Sequence, residues 1–321
     1  MSFSSNVKKE LTCVPLGTRH CMIAEIAALI LMSGEIKCEN GAYSVKFQTE
    51  NAAVARKYFT MIKKTFNINT KVVFKVSKKF HKKQTYILHI KDHEASLKVL
   101  KATTVLKADQ EKLIIRDYVD LTIIQSICCK RAYLRGAFLG AGSVSDPEKG
   151  YHLEFVSPAL KHAEFIKEVM SSLEMDPKIV PRKNNYVVYL KEGTQIVDLL
   201  NIMGAHIALM ELENIRIIKE VRNNVNRIVN CETANLKKTV SAAVRQVQDI
   251  EYIQDTIGIS ALPDNLQEVA TYRLEYPSAT LKELGELISH PVGKSGVNHR
   301  LKKISEIAEQ TRQIRGGVKN D

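Results

Sequence analysis

No stretch of this 321-residue chain approaches the roughly eighteen consecutive apolar residues of a membrane-spanning helix. Its first residues, MSFSSNVKKEL, carry neither the apolar core nor the small-residue cleavage site of a signal peptide. Both absences predict a protein that stays in the cytoplasm and uses no membrane. The six cysteines (Cys13, Cys21, Cys38, Cys128, Cys129, Cys231) form no CxxC pair and follow no regular spacing. Reduced, mostly buried thiols are expected instead of bridges or a metal site. Cys128 and Cys129 precede an apolar helix and read as core, and His20 beside Cys21 reads as a helix-entry pair. HExxH and GxSxG are both missing, and PVGKSG (291–296) has Ile288 where a phosphate loop needs its first glycine. No enzyme, metal or cofactor is expected from these motifs.

Negative charge is missing from one long stretch. Residues 51–91 hold eleven Lys or Arg and no Asp or Glu, which accounts for nearly all of the net charge of +12. Such a block points to an acidic polymer, since each neutralised phosphate releases a counterion. Lys71, Lys75, Lys78, Lys79, Lys82 and Lys83, with Arg227 further on, are the candidate phosphate contacts. A solvated lysine face is the alternative. KVVFKVS and TYILHI alternate as strands do, which argues against a membrane-surface helix.

What is present is a duplication. Displaced by 108 residues, 24–50 lies on 132–158 without a gap, with Ala24/Ala132, Leu31/Leu139, Gly34/Gly142, Tyr43/Tyr151 and Phe47/Phe155 identical. Each copy reads as an apolar helix ending in glycine, two strands, a helix, two strands and a helix. The repeats span about 20–105 and 128–203 within a domain of 1–218. This α+β pattern resembles the LAGLIDADG homing endonucleases, whose two motif helices pack on a pseudo-twofold axis. Ala27, Ala28, Gly136 and Gly140 supply the small side chains that such close packing needs. Those nucleases hold catalytic metal ions on one carboxylate just before each final glycine. The matching positions here are Ser33 and Ala141, a hydroxyl and a methyl. The nearest acid, Glu35, has Ser143 as its repeat partner, so there is no symmetric pair. The resemblance therefore implies a saddle without catalytic residues, with a metal-dependent endonuclease using Glu35 as the alternative.

Beyond the repeats, the apolar positions Ile207, Met210, Ile215, Ile218 and Val221 predict a helix leaving the domain, and the polar segment 219–231 predicts a linker. An all-α domain is expected over 232–321, opening with a helix whose stripe runs Leu236, Val240, Val244, Val247, Ile250, Ile253. Thr280 and Glu283 form a capping box before a short helix, HPVGK makes a turn, and Ser295 is expected to cap the next helix. A helix-turn-helix over about 278–310 follows, its second helix entering the major groove. Thr280, Lys282, Lys294, Ser295, Asn298, His299, Arg300, Lys302 and Lys303 are the candidate DNA-binding residues, with Arg300 suited to guanine and Asn298 to adenine.

The runs KRAYLRGAFLGAGSVSDPEKGYHLEFVS, NCETANLKKTVSAAVRQVQDIEYI, LPDNLQEVATYRLEYPSATLKELGELI and KSGVNHRLKKI resemble the WhiA family of bacterial transcription regulators across practically the whole chain. The resemblance implies a non-catalytic, sequence-specific binder of double-stranded promoter DNA, associated with the nucleoid and linked to sporulation, cell division and chromosome segregation. It also implies RNA polymerase or another transcription factor as a candidate partner. A nucleoid-associated architectural protein is the further alternative.

Overall fold

The structure, a computed structural model, describes residues 2–76, 84–109 and 112–317. Two compact units divide the chain, Met1–Glu220 and Val221–Asp321.

The first unit opens with α1 (Phe3–Cys13), which buries Phe3, Val7 and Leu11 along one face. The first repeat comprises α2 (Arg19–Ser33), β1 (Gly34–Glu39), β2 (Ala42–Thr49), α3 (Ala52–Phe66), β3 (Lys71–Val76), β4 (Gln84–Ile90) and α4 (His93–Ala102). A short hairpin, β5 (Leu106–Asp109) and β6 (Lys112–Ile115), connects it to the second. That repeat comprises α5 (Ile127–Ala141), β7 (Gly142–Val144), β8 (Leu153–Ser157), α6 (Leu160–Ser171), β9 (Lys178–Arg182), β10 (Asn185–Leu190) and α7 (Gly193–Met203). The sheets are antiparallel with matching orders, β1-β2-β4-β3 and β7-β8-β10-β9. Element order and sheet order thus repeat as the 108-residue displacement requires.

Both motif helices pass straight into a strand. Gly34 and Gly142 have φ of −83° and −84°, which any residue can adopt, so handedness does not explain them. Space does. A Cβ on Gly34 would meet the Ile30 carbonyl oxygen and lie 2.9 Å from its Cα, and one on Gly142 would lie 2.5 Å from the Cα of Phe138.

α2 and α5 pack against each other through a core in which Ala24, Ala27, Ala28, Ala132 and Ala137 are wholly buried. The tightest point is Gly136, whose absent Cβ would strike the Glu25 carbonyl oxygen and lie 3.0 Å from its carbon. Gly136→Ala is expected to destabilise this unit by about 3 kcal/mol, the upper end of ordinary overpacking costs, because the obstacle is the facing helix's backbone. Gly150→Ala, with nothing within 4 Å, is the control. Equal urea midpoints for the two variants would show that the helices separate without penalty.

α8 (His206–Thr256) runs through the boundary between units as one 51-residue helix. The segment 219–231, expected to be a linker, lies within this helix: no glycine or proline stands between 206 and 256 to stop it. Every residue from 221 to 242 is exposed. At the start of α8 the buried contacts come from Ala208 and Leu212, while Ile207, Met210, Ile218 and Val221 face outward. Of the expected stripe at its far end, only Ile250 and Ile253 are buried; Leu236, Val240 and Val244 are exposed.

The second unit adds α9 (Asp264–Glu275), α10 (Leu281–Leu287) and α11 (Lys294–Gly317) around Leu266, Val269, Leu284, Ile288, Val297, Leu301, Ile304 and Ala308. Arg273, buried to 2% exposure, donates to the carbonyls of Pro277 and Ala279 and so anchors the turn before α10. No helix among the described residues is long and apolar enough to cross a membrane.

Candidate nucleic-acid interface

The short α10, the longer α11 and the turn between them build the first candidate surface. Thr280 accepts a hydrogen bond from the Glu283 amide while the Glu283 carboxylate accepts from the Thr280 amide at 2.7 Å, completing the capping box. The Thr280 amide first, and then the Thr280 side chain, hold the Glu283 carboxyl below its ordinary range. The turn closes onto Gly285: Val292 N–H donates to the Gly285 carbonyl at 3.1 Å, and a Cβ on Gly285 would strike the Val292 oxygen. Glu268 on α9 clamps the other side of the turn, accepting from the Ser289 amide at 2.6 Å and its hydroxyl at 2.5 Å.

α11 begins one residue earlier than its expected cap. Gly296 and Val297 donate to the Gly293 carbonyl, so Ser295 lies inside the first turn and does not cap it. Val297, Leu301, Ile304 and Ala308 are buried as the spacing requires. Lys294, Ser295, Asn298, His299, Lys302 and Lys303 are exposed, and no acid falls among them before Glu306. At about 100° of rotation per residue, Ser295, His299 and Lys302 lie near the centre of the outward face. Arg300 is half-buried at the flank, where its charge helps hold the Glu268 carboxyl low after the Ser289 hydrogen bonds. Lys282 is exposed and 3.9 Å from Glu286.

A second surface is the outward face of the first repeat's sheet. Register places Glu35, Lys46, His89 and Lys71 side by side across β1, β2, β4 and β3, with Lys75 four residues further along β3 on the same face. His89 is held below its ordinary value, first by burial and then by Lys91 and Lys46. Lys78, Lys79, Lys82 and Lys83 lie outside the described residues. Arg227 sits exposed on α8. Lys57, part of the same basic run, is 7% exposed and belongs to the core.

The ends of the motif helices carry no carboxylate of their own. Ser33 donates its hydroxyl back to the Leu29 carbonyl at 3.3 Å, and Ala141 offers only a methyl. Glu35 is paired with Lys46 at 2.8 Å and Lys37 at 3.4 Å, and the Lys46 hydrogen bond chiefly lowers its pKa. Its repeat partner Ser143 instead donates to Glu154, itself held by both terminal guanidinium nitrogens of Arg182 at 3.0 Å.

Two groupings escaped the sequence patterns. Glu25, 3% exposed, lies 3.1 Å from both Lys57 and Arg135, joining α2, α3 and α5. His20, Cys21, Cys128 and Cys129 converge at the entry ends of α2 and α5, all four ligand atoms within 4.8 Å of one another. The signal for the second was available: the displacement of 108 that aligns the repeats also lays His20-Cys21 on Cys128-Cys129. The six thiols are free, and only Cys21 and Cys129 are buried, against the expectation that most would be.

A duplicated LAGLIDADG-like domain with degenerate motif ends, joined to a helix-turn-helix domain, is the class that this architecture defines. Residues 19–106 match the WhiA N-terminal LAGLIDADG-like domain, 130–222 the WhiA LAGLIDADG-like domain and 225–308 the WhiA C-terminal HTH domain. The chain belongs to the WhiA family. It is 53% identical over 313 residues to the probable cell division protein WhiA of Alkaliphilus metalliredigens, covering 97% of this chain and 99% of that one. With its counterpart in Alkaliphilus oremlandii it shares 51% identity over the full length of both. Among solved structures, full-length DUF199/WhiA from Thermatoga maritima is similar at a TM-score of 0.59 and 26% identity, covering 97% of this chain and 99% of that chain.

Proposed function

We propose that this protein is a non-catalytic regulator of transcription that reads double-stranded DNA through α11 and acts in cell division, the process for which its relatives are named. The observation that carries the reading is the outward face of α11, where Ser295, Asn298, His299, Lys302 and Lys303 present hydroxyl, amide, imidazole and ammonium groups on a helix braced by α9 and α10. Such side chains reach base edges and phosphates from the first turns of a recognition helix. Lys71 and Lys75 of the first repeat are assigned to phosphate. Ser33 and Ala141 leave the motif helices without metal-binding carboxylates, and Glu35 is already neutralised by two lysines. Sporulation or chromosome segregation as the process, RNA polymerase or another transcription factor as partner, and a nucleoid location in the cytoplasm belong to the same proposal.

Selection of binding sites from random duplex DNA with the full chain tests it. The wild type is expected to enrich one motif. Asn298→Ala is expected to lose preference at a single position and about 5- to 150-fold in affinity, the equivalent of one bidentate base contact at about 1–3 kcal/mol. Lys302→Ala is expected to weaken all sequences alike and reduce the salt slope by about one. Salt-sensitive binding with no enriched motif would favour the second reading, an architectural protein of the nucleoid, which the basic sheet face of the first repeat supports. Plasmid cleavage with magnesium, lost in Glu35→Ala, would overturn the non-catalytic assignment.

A further inference from the structure

We propose that His20, Cys21, Cys128 and Cys129 bind one divalent transition-metal ion of the soft, thiolate-seeking kind, with zinc the best match, and that this ion clamps the first turns of α2 and α5 together. Three sulfurs and one imidazole nitrogen are a ligand set that zinc takes in four-coordinate structural sites. The geometry is close to what such a site needs. Zinc–sulfur bonds of about 2.3 Å in a tetrahedron place sulfurs about 3.8 Å apart. The four ligand atoms here already lie within 4.8 Å of one another, so about 1 Å of closure at the widest pair suffices.

The histidine is set up for the task. Thr18 donates its hydroxyl toward Cys21 Sγ at 3.5 Å, so the same oxygen accepts from His20 Nε2–H at 2.7 Å. The proton therefore sits on Nε2, and the Nδ1 lone pair points into the cluster, 3.0 Å from Cys129 Sγ and 3.5 Å from Cys21 Sγ. An outer hydrogen bond that fixes the tautomer in this way is the usual support of a metal-bound imidazole.

On binding, each S–H releases its proton to solvent as its sulfur becomes a ligand. The positive ends of α2 and α5, at whose entries these residues lie, favour the same thiolates. Three thiolates on a dication leave one negative charge, and Arg131 lines the adjoining cavity of about 480 Å³ with Cys21 and Cys128, offering both countercharge and a route of entry.

Metal analysis of the full chain, purified without a histidine tag and equilibrated with zinc alone, is the test. About one tightly held zinc per chain is expected, lost in Cys21→Ser and Cys129→Ser and retained in Cys38→Ser and Cys231→Ser. Should the buried variants fail to fold, His20→Ala and Cys128→Ser change only exposed side chains and should release the ion. Cobalt in place of zinc should show the thiolate charge-transfer and visible bands of a tetrahedral site. A wild-type chain that retains no zinc and gives no such bands would overturn the proposal, as would a Cys21–Cys129 disulfide in the protein isolated without reductant.

Discussion

Acidification from pH 6.5 to about 3 is expected to remove about 5 kcal/mol from the stability of the first unit through His162 alone, at about 1.4 kcal/mol per pH unit. Burial drives the effect. The ring is 1% exposed and has no carboxylate beside it; Tyr133 lies 2.8 Å from Nε2 and Ser157 3.2 Å from Nδ1. Because Ser157 donates its hydroxyl to the Ala159 carbonyl at 3.1 Å, it accepts from Nδ1–H, and Tyr133 donates to Nε2. The neutral ring is thus fully satisfied, and burial lowers its pKa from 6.5 to about 3.

Below pH 6.5 the unfolded chain takes up a proton at His162 that the folded chain refuses until about pH 3, so stability falls with pH across that window. Above 6.5 both states are neutral and the contribution vanishes. Urea unfolding from pH 7 to 4 checks this: the gap between wild type and His162→Gln should narrow as the pH drops. In the intact protein, an imidazole resonance of His162 that titrates near 6.5 would refute it.

Glu25→Ala is expected to cost about 3–5 kcal/mol, the penalty for leaving buried cations without their anion. Arg135 donates from Nε to Glu25 at 3.1 Å and from a terminal nitrogen to the Met203 carbonyl at 3.0 Å. The Lys57 ammonium, equally close to Glu25 at 3.1 Å, also donates to the Leu11 carbonyl at 2.8 Å. Burial lowers the Lys57 pKa and Glu25 opposes that shift. Removing the carboxylate strands both cations. Replacing all three together, Glu25→Leu with Lys57→Met and Arg135→Met, should recover much of the loss despite two carbonyls left without donors. Urea midpoints compare the two; a triple variant less stable than Glu25→Ala would show that the charges do more than offset one another.

The duplicated core was legible because helix and strand periodicities repeat at one displacement and because small residues mark the helix contact. α1 was harder to see: its apolar positions, Phe3, Val7 and Leu11, number only three. In 219–231 two signals conflicted. Asparagine-rich composition reads as linker, whereas the lack of any breaker lets the helix continue. Lys57 was indistinguishable from its exposed neighbours, since its partner Glu25 lies 32 residues earlier. Around α11 the buried stripe was readable from spacing, but the position of Arg300 depends on helical phase and on Glu268 from α9. The cysteine and histidine cluster is assembled only by the packing of α2 on α5.

Carrying both repeats in one chain frees each half to drift alone, since a substitution is made once and not twice. Glu25 and Lys57 correspond, 108 residues on, to Tyr133 and Phe165, whose rings meet edge to face at 5.3 Å. One half closed its core with charge and the other with aromatics. The same drift reached the sheets: Lys46 faces Glu35 on one, while Glu154, its counterpart, holds Arg182 on the other. An elongated ligand laid across both sheets would find unlike ends. It would have a head and a tail, and a palindrome would gain nothing by its symmetry.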